Sequence, residues 1–322
     1  MAGTMIVSLD FELFWVILEE MNLDDYRQNI LGGRAAIPRL LKLFEQYDIH
    51  ATWATVGFLF AQNYEQLQRY FPEQKPSYSE KGLSPYDYFE KIRPEDEVCF
   101  FAPDLIRQVA QTPGQEIGSH TFSHFYCRKK GQTVEQFAED LKAAKRIAAD
   151  QGYDLTSIIL PRNHCEPEYT AVFRELGFTA YRDEEDDGIH EKIKFFPLLR
   201  VFRLLDVYFP LTGQGVHKPR KELGVWNFVG SGMFKPIRPA LKMFEKQKMN
   251  RIKARMRKAA REDLVFHLWW HPHNIGIMTD EYLAQLEEIF RYYHELKAQY
   301  GMESLNMKEA ALRMEQEGEM HG

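Results

Sequence analysis

The chain opens on the apolar run "MIVSLDFELFW", which starts at Met5 and is rich in β-branched and aromatic residues. That pattern predicts a buried first strand with Asp10 and Glu12 at its C-terminal end. In "AAIPRLLKLFEQYDI" the apolar positions Ile37, Leu40, Leu41 and Phe44 recur at helical spacing, and "HATWATVGFLF" then reads as the next strand. "GQEIGSHTFSH" reads as a third strand. "TVEQFAEDLKAAKRIAADQGY" is an amphipathic helix with Thr133 as N-cap and Gly152 as terminator, and "LTSIILPRNH" is a fourth strand. "EYTAVFRELGF" predicts a helix ending at Gly177, followed by the short strand "TAYRD". A strong late strand follows in "DLVFHLWWHPHNIG".

Alternating strands and helices argue for a parallel sheet or barrel, and 322 residues suffice for one. Two stretches break the rhythm. Residues 63–103 are rich in Tyr, Pro and Glu without steady periodicity, and the pattern degrades again over 184–262 after the acidic run Asp183 to Asp187. Both are read as insertions in a single domain spanning 1–322.

The polar residues add a second pattern. The predicted strands end in Asp10 and Glu12, in His120 and His124, in Arg162 and Asn163, and in His271 and His273. Sites in parallel α/β folds form at the C-terminal ends of strands, so these groups can converge. Were "HTFSH" a helical turn, both imidazoles would share one face within reach of one metal ion. A carboxylate and two neutral imidazoles bind a divalent cation such as zinc, which lowers the pKa of water toward roughly 7. A second carboxylate can take a proton, a guanidinium can hold that base ionised, and a further histidine can protonate a leaving group. These parts suffice for hydrolysis of an amide or ester. Thr121 occupies the place of the glutamate that His-Glu-x-x-His peptidases need, which sets that class aside.

Composition narrows the setting. A net charge of -6 gives no general attraction to nucleic acid. Cys99, Cys127 and Cys165 are too few and too scattered for a disulfide framework, so a reducing compartment is expected. The opening residues lack the charged start and small-residue cleavage site of a signal peptide, and no apolar run approaches a membrane span. A cytoplasmic location is therefore expected. The aromatic content, 14%, suits both a core and a cleft that stacks on sugar rings. Trp53 and Trp269 lie in strand patterns and read as core, whereas Trp226, in the irregular "GVWNFVGSG", is the better cleft candidate. Cys127 reads as a small buried residue.

The series "SLDFE", "HATWATVG", "EIGSHTFSH", "LPRNH" and "WWHPHN" resembles, in order, the motifs of the polysaccharide deacetylase family, which is also carbohydrate esterase family four. The resemblance implies a distorted (β/α) barrel, a divalent metal with zinc foremost, and removal of acyl groups from amino sugars. By the same resemblance Asp10 is the general base, Glu12, His120 and His124 are metal ligands, Arg162 tunes the base, and His271 rather than His273 is the general acid. Asp-Phe-Glu replaces the family's common pair of adjacent aspartates, which leaves the roles of Asp10 and Glu12 open to exchange. "HTFSHF" followed by "PRN" resembles the branch tied to O-antigen or capsule synthesis. Together with a cytoplasmic location, that implies a nucleotide- or lipid-linked sugar precursor as substrate.

The segment 235–261 is the most basic, with Ile237, Leu241, Phe244, Ile252 and Met256 on one helical stripe. Such a stripe commonly packs on the body of the protein. The alternative is peripheral contact with an anionic membrane or with phosphates of a carrier. Two readings compete with the sugar deacetylase: an amidase for a cyclic imide or ureide, and a non-catalytic metal- or glycan-binding scaffold.

Overall fold

The computed structural model describes residues 2–17, 21–163, 166–183, 202, 205–209 and 215–320. Its centre is β1 (Thr4–Phe11), buried along its whole length. One edge of β1 runs parallel to β9 (Val265–Trp270); the other runs parallel to β10 (Glu303–Leu305) over Thr4–Ile6 and to β2 (Ala51–Thr55) over Val7–Phe11. From β2 the sheet continues in parallel through β3 (Gln115–Ser119), β4 (Ser157–Ile159), β5 (Ala180–Arg182) and β7 (Val225–Asn227), with β6 (Arg220–Glu222) antiparallel at its end. At the other end β8 (Gly232–Met233) lies beside β9. Only residues 228–231 separate β7 from β8, so the two ends of the ladder meet and the sheet is curled. This is the expected distorted (β/α) barrel.

The range 184–262 is therefore not all insertion. Its residues 184–201, 203–204 and 210–214 lie outside the described residues, but β7 and β8 within it complete the curl. Their strands are two or three residues long, too short for period-2 alternation to show in the sequence. The 63–103 excursion carries the helix α2 (Tyr64–Gln68) and three short 3-10 turns. Its Phe89 and the following Phe100 pack on Trp15, whose indole N–H donates to the Phe100 carbonyl at 2.8 Å. Trp15 lies three residues past Glu12, so the excursion pins the chain just beyond that carboxylate.

The helices α1 (Leu23–Gln46), α3 (Pro103–Gln111), α4 (Val134–Ala149), α5 (Pro167–Glu175), α6 (Glu245–Glu262) and α7 (Thr279–Tyr300) pack against the outward face, where Val7, Leu9 and Phe11 join the larger core. Ile6, Ser8 and Asp10 face inward, because side chains alternate along a strand. Deep inside, Ile6 meets Ala54, Ile159, Ala180, Phe228 and Val265, and Met307 of α8 (Met307–Met320) closes that cluster. The capping box of Thr133 with Gln136 forms at the start of α4 as its sequence predicts, and Gly152 takes φ +83° beyond its end. The stripe of α6 is buried at Ile252 and Met256, and its cations meet α7, with Lys253 2.7 Å from Glu288. The basic segment thus packs on the protein. Among the described residues no helix is long and apolar enough to cross a membrane.

Candidate active site

Asp10 ends the inward face of β1, and Glu12 follows one pleat later; both are almost wholly buried. Two carboxylates in an apolar strand require compensation. For Asp10 it comes from β5. Arg182, 1% exposed, donates from Nη2 to Asp10 Oδ2 at 2.7 Å, from Nη1 to Ser8 Oγ at 2.7 Å, and from Nε and Nη2 to Asn163 Oδ1 at 3.0 and 2.8 Å. Burial alone would raise the Asp10 carboxyl, but the charges of Arg182, His120 and His271 outweigh it and hold it below the usual range.

The guanidinium on Asp10 is thus Arg182 and not the expected Arg162. Arg162 sits in a tight turn at φ 61°, is exposed, and lies 5.0 Å over the Tyr126 ring at the rim of the site. Its neighbour Asn163 does reach inward, as the acceptor for Arg182. Arg182 was hidden in the sequence because "TAYRDEEDD" reads as a strand end running into a solvated acidic loop. The available signal was parity, since Ala180 and Arg182 share the inner face of β5.

Behind Arg182 a chain of hydrogen bonds fixes proton positions. The Phe228 carbonyl can only accept, so His267 Nδ1, 2.8 Å away, carries the hydrogen. Nε2 of the same ring then accepts from the Ser8 hydroxyl at 2.8 Å, and Ser8 Oγ accepts from Arg182. Burial and the nearby Arg182 charge push His267 down to about 3, which keeps it neutral as this chain requires.

His120 and His124 do not lie on a helical turn. His120 directly follows β3, and the loop reverses through Thr121 at φ 63° and His124 at φ 56°, which brings the two rings to 5.3 Å. Such a backbone needs support. Asp140 of α4 provides it by accepting from Phe122 N at 2.7 Å, from Ser123 N at 3.2 Å, and from the Ser123 hydroxyl. Gly57 and Phe58 donate to the Thr121 and Phe122 carbonyls from the other side. A Cβ at Gly57 would come within 2.8 Å of Phe122 Cα, so this contact depends on glycine.

The loop aims both rings at Glu12. Nε2 of His120 is 2.7 Å and Nε2 of His124 is 3.4 Å from Glu12 Oε1. Neither nitrogen has hydrogen-bond geometry, and Glu12 Oε2, Asp10 Oδ1 and both Nδ1 atoms are also buried without a hydrogen-bond partner. Burial at this density without hydrogen bonds fits donor atoms that converge on a shared cation. Burial drives His124 toward its neutral, ligating form, while His271 and His120 outweigh burial at Glu12 and hold its carboxyl well below the usual range. The donor set of one carboxylate and two imidazoles, all within 4.8 Å of one another, fits a divalent ion such as zinc.

His271 follows β9 and completes the ring of groups, with Nε2 3.8 Å from Asp10 Oδ2 and 3.6 Å from Glu12 Oε2. His273 lies behind it, buried against Tyr26 with ring centroids 5.7 Å apart, and burial pushes it down to about 3. The turn that carries both histidines seats directly on α1. A Cβ on Gly32 would stand 2.0 Å from the Gly276 carbonyl oxygen, and one on Gly276 would stand 2.0 Å from that of Asn29.

The tryptophans exchange their expected places. Trp269 shares the inward parity of His267 and His271, and its ring lies 4.2 Å from the Arg182 guanidinium and 5.7 Å from His271. Trp226 points to the far end of the barrel and donates to Glu315 Oε1 at 2.8 Å. Trp53 and Cys127 are buried as expected, while His164 and Cys165 fall outside the described residues.

Comparison with known proteins agrees with this fold. The family model for polysaccharide deacetylase matches residues 22–181, which hold His120 and His124; Asp10, Glu12, Arg182 and His271 lie outside the match and join it through the fold. A structure described as a polysaccharide deacetylase of Mycobacterium smegmatis superposes with a TM-score of 0.63 at 13% identity, covering 99% of this chain and 92% of that one. A probable polysaccharide deacetylase of Pseudomonas aeruginosa PAO1 gives 0.59 at 14% identity over 96% and 88% of the two chains. The allantoinase PuuE gives 0.55 at 15% identity, again over 96% and 88%. A search of the curated proteins finds no sequence match. Through the matched segment and the barrel that completes it, the chain belongs to the polysaccharide deacetylase family.

Proposed function

We propose that the protein is a metal-dependent hydrolase that removes an acyl group, foremost N-acetyl, from a sugar or glycan precursor. The observation that carries this reading is the convergence of Asp10, Glu12, His120, His124 and His271, in which Asp10 Oδ1, Glu12 Oε2 and the Nε2 atoms of His120 and His124 are buried without hydrogen bonds while Arg182 holds Asp10 Oδ2. Family membership supports an acetylated carbohydrate as substrate. Glu12, His120 and His124 would hold the cation, which when bound polarises the acyl carbonyl and eases ionisation of water.

Asp10 fits the general base. Arg182 occupies Oδ2 and holds the group ionised, while Oδ1 is buried without a partner and can take a proton from the attacking water. His271, half-buried and within 4 Å of both acids, can deliver a proton to the departing amine. Water thus adds to the carbonyl carbon, the C–N bond breaks, and the products are a carboxylic acid and a free amine. The finer reading is a nucleotide- or lipid-linked precursor of a surface glycan, met in the cytoplasm. A fold shared with an allantoinase gives the cyclic ureide reading a place in the same substrate screen.

The test pairs metal content with acetate release. Wild type should hold about one divalent ion per chain, and the double variant His120→Ala/His124→Ala none. Asp10→Asn should keep its metal and lose turnover, while Glu12→Gln should lose the metal. Retention by Glu12→Gln with loss from Asp10→Asn would reverse the two roles, and a wild type that stays empty in zinc, cobalt and manganese would remove the foundation of the reading.

A further inference from the structure

The guanidinium of Arg182 meets Asp10 through one nitrogen only. Its end presents Nη1 and Nη2 side by side, the fork that pairs with both oxygens of a carboxylate when no other acceptor competes. Here Nη2 reaches Asp10 Oδ2 at 2.7 Å, but Nη1 donates to Ser8 Oγ, also at 2.7 Å. The neighbouring edge is taken as well, because Nε and Nη2 both donate to Asn163 Oδ1. Trp269 covers the group, with its ring centre 4.2 Å from the guanidinium carbon. Asp10 Oδ1 is left buried without a hydrogen bond.

Ser8 can receive Nη1 only while a lone pair of its hydroxyl faces the arginine, so the single hydroxyl hydrogen must go elsewhere. His267 accepts it. Its Nε2 lies 2.8 Å from Ser8 Oγ and is the accepting nitrogen, because Nδ1 donates to the Phe228 carbonyl at 2.8 Å. The backbone that carries this ring is fixed too: His267 N donates to Ser231 Oγ at 2.8 Å, and Ser231 N donates to the His267 carbonyl at 2.8 Å. Ser8, Arg182 and His267 are all buried, and donation runs one way, from Arg182 to Ser8, from Ser8 to His267 and from His267 to Phe228.

We infer that Ser8 and His267 are positioning residues for the base, which draw Nη1 off Asp10, keep the ion pair single-armed and leave Oδ1 open to the attacking water. The catalytic half of this inference rests on the deacylase reading; the pose of Arg182 stands on the hydrogen bonds alone. Without the Ser8 hydroxyl the fork can close on both oxygens of Asp10. The carboxylate would remain ionised and held, but the oxygen that has to take a proton would be occupied.

Crystal structures of wild type and Ser8→Ala, grown under the same conditions, read the pose directly. In Ser8→Ala the Arg182 fork should close on both Asp10 oxygens; a guanidinium that keeps its single-armed contact would overturn the inference. Acetate release from N-acetylglucosamine forms the second arm. In Ser8→Ala, kcat should fall about tenfold or more while KM stays within about twofold and metal content matches wild type. Ser8→Thr keeps the hydroxyl and should recover most of that loss. His267→Phe leaves the hydroxyl without its acceptor and should slow turnover in the same way, and the double variant Ser8→Ala/His267→Phe should be no slower than Ser8→Ala, because the two residues act as one unit. A raised KM with kcat held, a folded Ser8→Thr as slow as Ser8→Ala, or losses that multiply in the double variant would refute the assignment. Should wild type release acetate from no N-acetylated sugar, the deacylase reading fails, and the pose of Arg182 in Ser8→Ala still decides whether Ser8 turns the guanidinium.

Discussion

Replacement of Asp140 tests whether the loop between the two histidines is built by α4. Asp140→Ala leaves the N–H groups of Phe122 and Ser123 buried and unpaired; the Ser123 hydroxyl can rotate away, but the amides cannot. At roughly 1–3 kcal/mol for each orphaned donor, the loss of stability should be about 2–6 kcal/mol. Asp140→Asn keeps an acceptor for Phe122 and turns an amide toward Ser123, so about 1–3 kcal/mol is expected. The two variants also separate by pH. Burial pushes the Asp140 carboxyl from 3.8 up to about 7, so the folded state holds its proton more tightly than the unfolded chain. The stability contributed by that proton is fully present below 3.8 and is lost as pH rises to about 7. Wild-type stability relative to Asp140→Asn should therefore fall across that window. Urea unfolding in the presence of chelator measures both effects, and competition with a chromophoric chelator should show metal affinity about tenfold or more weaker in Asp140→Ala. A stability loss below about 1 kcal/mol with unchanged metal affinity would refute the idea that Asp140 shapes this loop.

Other changes probe the rest of the ring. Arg182→Gln strands a buried carboxylate and should cost about 3–5 kcal/mol in unfolding free energy, with acetate release falling at least a hundredfold, whereas Arg162→Ala should change turnover less than tenfold; comparable losses in both would restore Arg162 to the base. Gly276→Ala should destabilise by about 1–3 kcal/mol and lower kcat more than it changes KM, because the turn carrying His271 must lift off α1; a variant with wild-type kcat would mean the turn relaxes freely. Dialysis against chelator should abolish acetate release and zinc should restore it, with the protein still folded by circular dichroism; undiminished release after metal removal would exclude a metal role.

Much of this arrangement was legible because buried parallel strands announce themselves. The runs through β1 and β9 are long and apolar, and the polar residues that close them, Asp10, Glu12 and His271, stand out for that reason, whereas His120 and His124 stand out by their spacing after the short β3. The three-residue β5 gave no such background, and its arginine merged with the acidic residues that follow. The interchange of Trp226 and Trp269 has a related cause: the face a strand residue takes depends on registration with its partners, and a single chain shows periodicity without phase. Asp140 looked like an ordinary charge on an amphipathic helix, since only the fold shows which polar position turns inward.

The placement of β1 has a consequence for how the protein comes to exist. Thr4 is in register with Val265 on one side and Glu303 on the other, so β1 finds two of its three partners far along the chain. Joining such distant segments is entropically mild, because loop closure grows only with the logarithm of length, but it is slow. Until synthesis passes residue 270 the whole β9 edge of β1 lacks its partner, and Thr4–Ile6 wait for β10 until residue 305; apolar edges of this kind draw in other chains. Holding β1 apart during synthesis is a natural task for a chaperone, and truncation within the last helix or β10 should aggravate aggregation far more than its distance from the catalytic ring suggests.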